Sequence, residues 1–83
     1  MRNRLTCAQL RAARALLHWS AEDLARPSKV SVRTLRRAEI GSGLTSRTPA
    51  NEDTVRRALE AAGIEFIDAN GGGEGVRLKK PSA

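Results

Sequence analysis

Residues 25–39 read ARPSKVSVRTLRRAE, and the two halves of this stretch pull in opposite directions. From residue 31 onward it has the marks of a short basic helix. Ser31 is a good N-cap, Leu35 and Ala38 turn toward a core, and Val32, Arg33, Arg36 and Arg37 project outward. The first half places Pro27 inside what should be a helix. Proline has no N–H for the bond back to the Asp23 carbonyl, and it disfavours helical geometry at Arg26. Lys29 then stands where a tight turn favours glycine, and a left-handed lysine costs about 1 kcal/mol. The second helix is therefore expected to be short, or to end early in a tighter turn. Ser31 can cap the third helix regardless.

Three arginines on one and a half turns of exposed helix repel one another unless an anion receives them. Major-groove DNA can do so, since the groove admits a helix and arginine binds guanine O6 and N7. Val32 can touch a thymine methyl. The competing reading is a solvated basic face, and charge alone does not choose between the two.

Working outward, four helices are expected at about 7–18, 21–27, 32–40 and 52–62. Thr6 and Gln9 form a capping box for the first, which carries a stripe of Leu10, Ala13, Leu16 and Leu17, with Arg11 and Arg14 beside it. His18 ends it, where histidine tolerates left-handed geometry. Ser20 opens the second, with Glu22 and Asp23 in the first turn, where the helix dipole favours acids. Residues 40–43, IGSG, close the third, and a loop fills 44–50. Asn51 is expected to cap the fourth helix, whose buried stripe is Val55, Ala58, Leu59 and Ala62, with Gly63 after it. The period then changes to 2. IEFI at 64–67 and VRLK at 76–79 read as strands around the loop DANGGGEG. Ile64 and Phe66 share a face with Val76 and Leu78, and Glu65 can pair with Arg77 on the other. No helix follows the glycines of that loop, which argues for a flexible turn over a phosphate cradle.

Eighty-three residues make at most one domain with a small core. A hydrophobic fraction of 40% argues against disorder, and with Trp19 and Phe66 as the only aromatics it suits thin interhelical packing. The net charge of +6 and a pI near 11.1 favour an anionic partner. Twelve of the fifteen basic residues are arginine, the better bidentate binder of phosphate and guanine. Cys7 is alone, so no intrachain disulfide or cysteine-based metal site can form, and it reads as a small buried residue. No secretory h-region or apolar run of about 18 residues is present, which points to a cytoplasmic protein. Catalysis finds little support. His18 is the sole histidine, tyrosine is absent, and the pairs Glu22–Asp23 and Glu52–Asp53 are explained by helix first turns. Neither an enzyme activity, a cofactor, a metal nor a small-molecule ligand is expected.

The order of parts then matters. LRAARALLHWSAEDLA at 10–25, VSVRTLRRAEIG at 30–41 and TVRRALEAAGIEF at 54–66 together resemble the lambda-repressor-like (XRE) helix-turn-helix domains. The likeness runs from Thr6 to about Leu78. It implies a mainly α fold: a four-helix DNA-binding domain at 1–63, a C-terminal β-hairpin at 64–80 in place of the fifth helix of many such domains, and a tail at 81–83. The third helix would read DNA, with Val32, Arg33 and Arg37 facing base edges and Thr34 and Arg36 reaching bases or flanking phosphates. Ser20, Lys29, Ser31, Ser42 and Arg47 would approach the backbone, which positions without reading sequence. Arg14 and Glu39 match a structural pair joining the first and third helices. Leu24, Val30 and Leu35 match buried positions. Ala21 stands where these domains often have a glutamine that orients the third helix, so that contact is expected to be missing.

An isolated two-stranded sheet is marginal and exposes its edges. Pairing with a second copy through Ile64, Phe66, Ile67, Val76 and Leu78 would give a homodimer on a pseudo-palindromic operator. The alternative is a hairpin that packs on the fourth helix of its own chain. The leading functional reading is a sequence-specific transcriptional regulator bound to double-stranded DNA. It would repress by occlusion, with autoregulation and a contact from Glu22 and Asp23 to RNA polymerase as further options. The runner-up is an antitoxin-type protein that binds a partner toxin and autoregulates its operon. A toxin-wrapping segment would be expected beyond the hairpin, where only residues 79–83 stand. An RNA or membrane-surface binder lacks exposed aromatics and a wide apolar face beside the basic helix.

Overall fold

The computed structural model describes residues 5–41 and 49–80 of the chain. Four helices, α1 (Cys7–Leu17), α2 (Ala21–Ser28), α3 (Val32–Glu39) and α4 (Pro49–Ala61), precede an antiparallel hairpin of β1 (Ile64–Ile67) and β2 (Gly75–Leu78). The architecture is mainly α. Among the described residues no helix is long and apolar enough to cross a membrane.

Local chemistry sets most boundaries. The Thr6 hydroxyl accepts the Gln9 N–H at 3.0 Å, and the Gln9 side chain accepts the Thr6 N–H at 3.1 Å. This reciprocal box satisfies two donors that the first turn of α1 leaves open. His18 ends the helix in the left-handed region at φ 56°. A second box opens α2, with Asp23 N–H on Ser20 Oγ at 3.1 Å and Ser20 N–H on Asp23 Oδ2 at 2.9 Å. Asp23 was legible as a first-turn acid, but its second bond back to Ser20 was not.

The hinge departs from expectation. Instead of ending early, α2 continues through Pro27 to Ser28, one residue beyond the expected end. Its turn closes when Lys29 takes φ 58° and donates its N–H to the Ala25 carbonyl at 2.9 Å. Proline is tolerated because it lies in the last turn on an exposed face, where water can reach the carbonyl that its missing N–H leaves open. Ser28 supports the corner from inside. Its hydroxyl donates to the Leu24 carbonyl at 2.7 Å and accepts the Val30 N–H at 3.3 Å. The helix α4 also differs, because it begins at Pro49 and Asn51 is already inside it. A proline at the first helical position loses nothing by lacking an N–H, and its fixed φ suits the start.

The core is a small cluster to which every helix contributes. Leu10 and Ala13 of α1 meet Leu24, Leu35 and Ala38 of α2 and α3, and Val55, Ala58 and Leu59 of α4, with Leu5, Val30 and Ile64 closing the sides. Leu16 was expected on the α1 stripe and instead faces outward, while Cys7 and Gln9 are buried. Two charged residues of α4 are buried as well. Glu52 accepts the Leu5 N–H at 3.2 Å, and the Arg56 guanidinium lies 4.7 Å from the centre of the Phe66 ring.

The hairpin register pairs Ile64 with Leu78, Glu65 with Arg77, Phe66 with Val76 and Ile67 with Gly75. Arg77 donates to Glu65 at 2.7 Å on the outer face, as alternation requires. The inner face packs on the hairpin's own chain, against α1 as well as α4. Gln9 fastens it there: its amide donates to the carbonyls of Ile67 (3.3 Å) and Gly75 (3.1 Å), the last pair of the ladder. Ile64 has no exposed surface at all, so its assignment to a dimer interface is corrected: it is a core residue of the single chain.

Replacing Ile64 by alanine should therefore cost about 2–5 kcal/mol in urea unfolding, whereas Ile67→Ala should cost well under about 1 kcal/mol. Lys29→Gly should raise stability only slightly, by up to about 0.6 kcal/mol, the left-handed strain of about 1 kcal/mol relieved less the extra freedom of unfolded glycine, about 0.4–1 kcal/mol. Acid should act through two carboxylates. Hydrogen bonds from Ser20 hold Asp23 below its ordinary 3.8, and Arg77 holds Glu65 below 4.5. Depressed carboxylates stabilise the fold fully above their unfolded values and lose that contribution as pH falls through the folded ones. The urea midpoint should hence fall below about pH 4.5, and Glu65→Gln should reduce that fall.

Candidate nucleic-acid interface

The helix α3 has eight residues, too few to persist in isolation. Its N-terminus is closed by Ser31, whose hydroxyl accepts the Thr34 N–H at 3.2 Å and donates to Thr34 Oγ1 at 2.9 Å. Leu35 and Ala38 anchor its inner side. Its far end is held by α1. Arg14 grips the Glu39 carboxylate through two parallel bonds, Nε to Oε2 at 2.5 Å and Nη2 to Oε1 at 2.8 Å. The same guanidinium donates to the Trp19 carbonyl at 2.8 Å, so α1, α3 and the α1–α2 link meet at one side chain. Arg14 and Glu39 are 22% and 11% exposed, which lets the charge-assisted pair escape most solvent screening. The Glu39 hydrogen bond raises the affinity of Arg14 for its proton further, against the opposing effect of burial.

The outer side of α3 carries the residues singled out from the sequence. Arg33, Arg36 and Arg37 are exposed, and Val32 and Thr34 are half-buried at its edges. The three arginines are not equivalent. Arg36 reaches Glu22 of α2 at 3.5 Å, an exposed pair of little energetic weight that nonetheless spans the two helices. It supplies a polar α2–α3 link that Ala21, buried and without a polar side chain, cannot offer. The side chains of Arg33 and Arg37, four residues apart and so on one face, make no ion pair or hydrogen bond with any described residue.

The expected backbone contacts fare unevenly. Lys29 is exposed at the turn, in position to reach outward. Ser31 gives its one hydroxyl proton to Thr34 while accepting the Thr34 N–H, which leaves it no proton to offer a phosphate. The Ser20 N–H is taken by Asp23, and with Glu22 beside it the start of α2 holds two carboxylates. A phosphate there would meet like charge, which weakens the assignment of Ser20. Ser42 and Arg47 lie outside the described residues. Of the hairpin residues assigned to an interface, Phe66, Val76 and Leu78 are half-buried on their own core, and Ile67 is the exposed one.

Sequence reading missed Arg11. Its guanidinium donates to the carbonyls of Glu39 and of Gly41, the latter at 3.1 Å. A signal was present in the spacing of Cys7, Arg11 and Arg14, which puts all three on one helical face. Among the described residues no group of three or more His, Cys, Asp or Glu gathers as a metal site would require. No family model, curated protein or solved structure matches this chain.

Arg14→Ala would leave the Glu39 carboxylate largely buried without its partner. It should cost about 2–4 kcal/mol in urea unfolding, with only part recovered by Arg14→Lys, since one ammonium cannot reproduce two parallel bonds.

Proposed function

We propose that this protein is a small sequence-specific DNA-binding transcriptional regulator of the lambda-repressor-like helix-turn-helix type, with α2 and α3 as the motif and α3 in the major groove. One observation carries the reading. Arg33 and Arg37 stand exposed on one face of a helix capped at its start and clamped at its end, and neither has an anionic partner among the described residues. An excess of six positive charges supplies the long-range attraction such binding needs. Arg36, already shared with Glu22, serves better as a flanking contact than as a reader. Thr34 keeps its own hydroxyl proton for a base or phosphate, and Val32 offers an apolar edge for a thymine methyl.

In this proposal the protein acts in the cytoplasm as a homodimer on a pseudo-palindromic operator and represses by occluding a promoter, its own among them. The dimer contact is through the hairpin edges and Ile67, since Ile64 is committed to the core. A polymerase contact through Glu22 and Asp23 would compete with their bonds to Arg36 and Ser20.

The test is selection of duplexes from a random-sequence pool, followed by anisotropy titration of the enriched site. Arg33→Ala and Arg37→Ala should each cost about 1–3 kcal/mol and relax preference at one position. Arg26→Ala, also exposed but on α2, should leave base preference intact. Failure to enrich any sequence, or equal loss across all three variants, would refute the reading. A sedimentation profile of monomers at tens of micromolar, with half-sites filled independently, would remove the dimer alone.

A further inference from the structure

The final turn of α3 faces a problem that its own residues do not solve. The last carbonyls of a helix have no donor four residues on, and they carry the negative end of its dipole. Helices commonly close this end with a left-handed residue whose N–H folds back. Here Ile40 is extended instead, and its N–H reaches only the Arg37 carbonyl, at 3.3 Å. Three successive carbonyls, the last of α3 at Glu39 and the two that follow it at Ile40 and Gly41, instead receive donors from α1. Arg11 donates to the first and third, and Cys7 Sγ donates to the second at 3.6 Å. One face of α1 therefore acts as the C-cap of α3, with Arg14 holding the Glu39 side chain one turn along.

We infer that Arg11 is a positioning residue for DNA reading, an intramolecular cap that fixes the axis of α3 and the exit of the chain at Gly41. This rests on α3 being the reading helix, and it gives Arg11 a role opposite to the one its exposure and charge suggest. An exposed arginine in a basic DNA-binding protein would ordinarily pass for a phosphate contact. Arg11 instead directs its guanidinium at carbonyl oxygens of its own chain. Both bonds leave the one nitrogen Nη1, whose two N–H groups reach the two carbonyls, and the positive charge of the guanidinium adds what a neutral amide could not, opposition to the helix dipole. The angle of an eight-residue helix decides whether Arg33 and Arg37 meet base edges together, so loosening its end should blur their reading before it reduces general attraction.

Two measurements on Arg11→Ala and Arg11→Lys test this. The first needs no DNA. Amide hydrogen exchange should quicken about tenfold in the last turn of α3 in Arg11→Ala, while α4 keeps its protection, and Arg11→Lys should restore part of the difference. Unchanged exchange in α3 would overturn the cap. The second uses the duplex enriched by the wild-type protein and a scrambled duplex of the same length, titrated over a salt series. Arg11→Ala should lower the ratio of the two affinities about tenfold and leave the slope of log affinity against log salt unchanged. A slope shallower by about one, with both duplexes weakened alike, would mark Arg11 as a phosphate contact and sink the proposal. A ratio that does not move would sink it as well. If no duplex is enriched by the wild type, the DNA reading fails while the exchange result still decides the cap.

Discussion

The direction in which α3 presents its outer face depends on the grip of Arg14 on Glu39. The helix α3 buries only Leu35 and Ala38 fully, too little apolar surface to hold an eight-residue segment at one angle. A bidentate charge pair with little exposed surface supplies the missing direction, because two parallel bonds restrict rotation as well as distance. The third bond of the same guanidinium, to the Trp19 carbonyl, ties down the link into α2. Removing this side chain would leave a carboxylate largely out of water and three elements without a common reference.

The rest of the molecule follows the same economy. A chain of this size buries a thin core of leucine, alanine and a few β-branched residues, so its helix ends are closed by side chains more than by bulk packing. Thr6 with Gln9, Ser20 with Asp23, and Ser31 with Thr34 each satisfy donors at a helix start. Gln9 extends this logic furthest. One end of its amide completes the box of α1, and the other holds two carbonyls at the loop end of the hairpin ladder. A hairpin that would be marginal alone is thereby joined to the first helix.

The arginines show how tertiary structure divides residues that look alike in sequence. Arg11 caps a neighbouring helix, Arg14 binds a carboxylate, and Arg36 spans to Glu22. Arg56 lies buried against Phe66, and Arg57 pairs with Asp53 one turn away. Arg33 and Arg37 are left facing outward with no described partner. Net charge suggested an anionic partner, but which cations remain available for it depended on these contacts.

Short-range chemistry was legible without coordinates. The capping residues, the stripes of Leu10 and Ala13 or Val55 and Leu59, and the alternation that pairs Glu65 with Arg77 all act within a few residues or across one turn. The Arg14–Glu39 pair was readable only through a family resemblance, since nothing in the spacing of residues 25 apart implies contact. Other features escaped for definite reasons. Pro27 was weighed as a helix breaker because its lost bond is local, yet its exposure in a last turn made the loss tolerable. Pro49 displaced Asn51 as the start of α4 because a proline at the first helical position competes well with a side-chain cap. The second bonds of Gln9, and the burial of Glu52, Arg56 and Ile64, come from segments far apart in sequence. By itself the sequence determined the helices, the strand register and the basic outer face, because propensity and periodicity are local. Only the tertiary structure decided which charges are spent inside the chain and which remain outside it, because that division depends on distances between elements that no local pattern encodes.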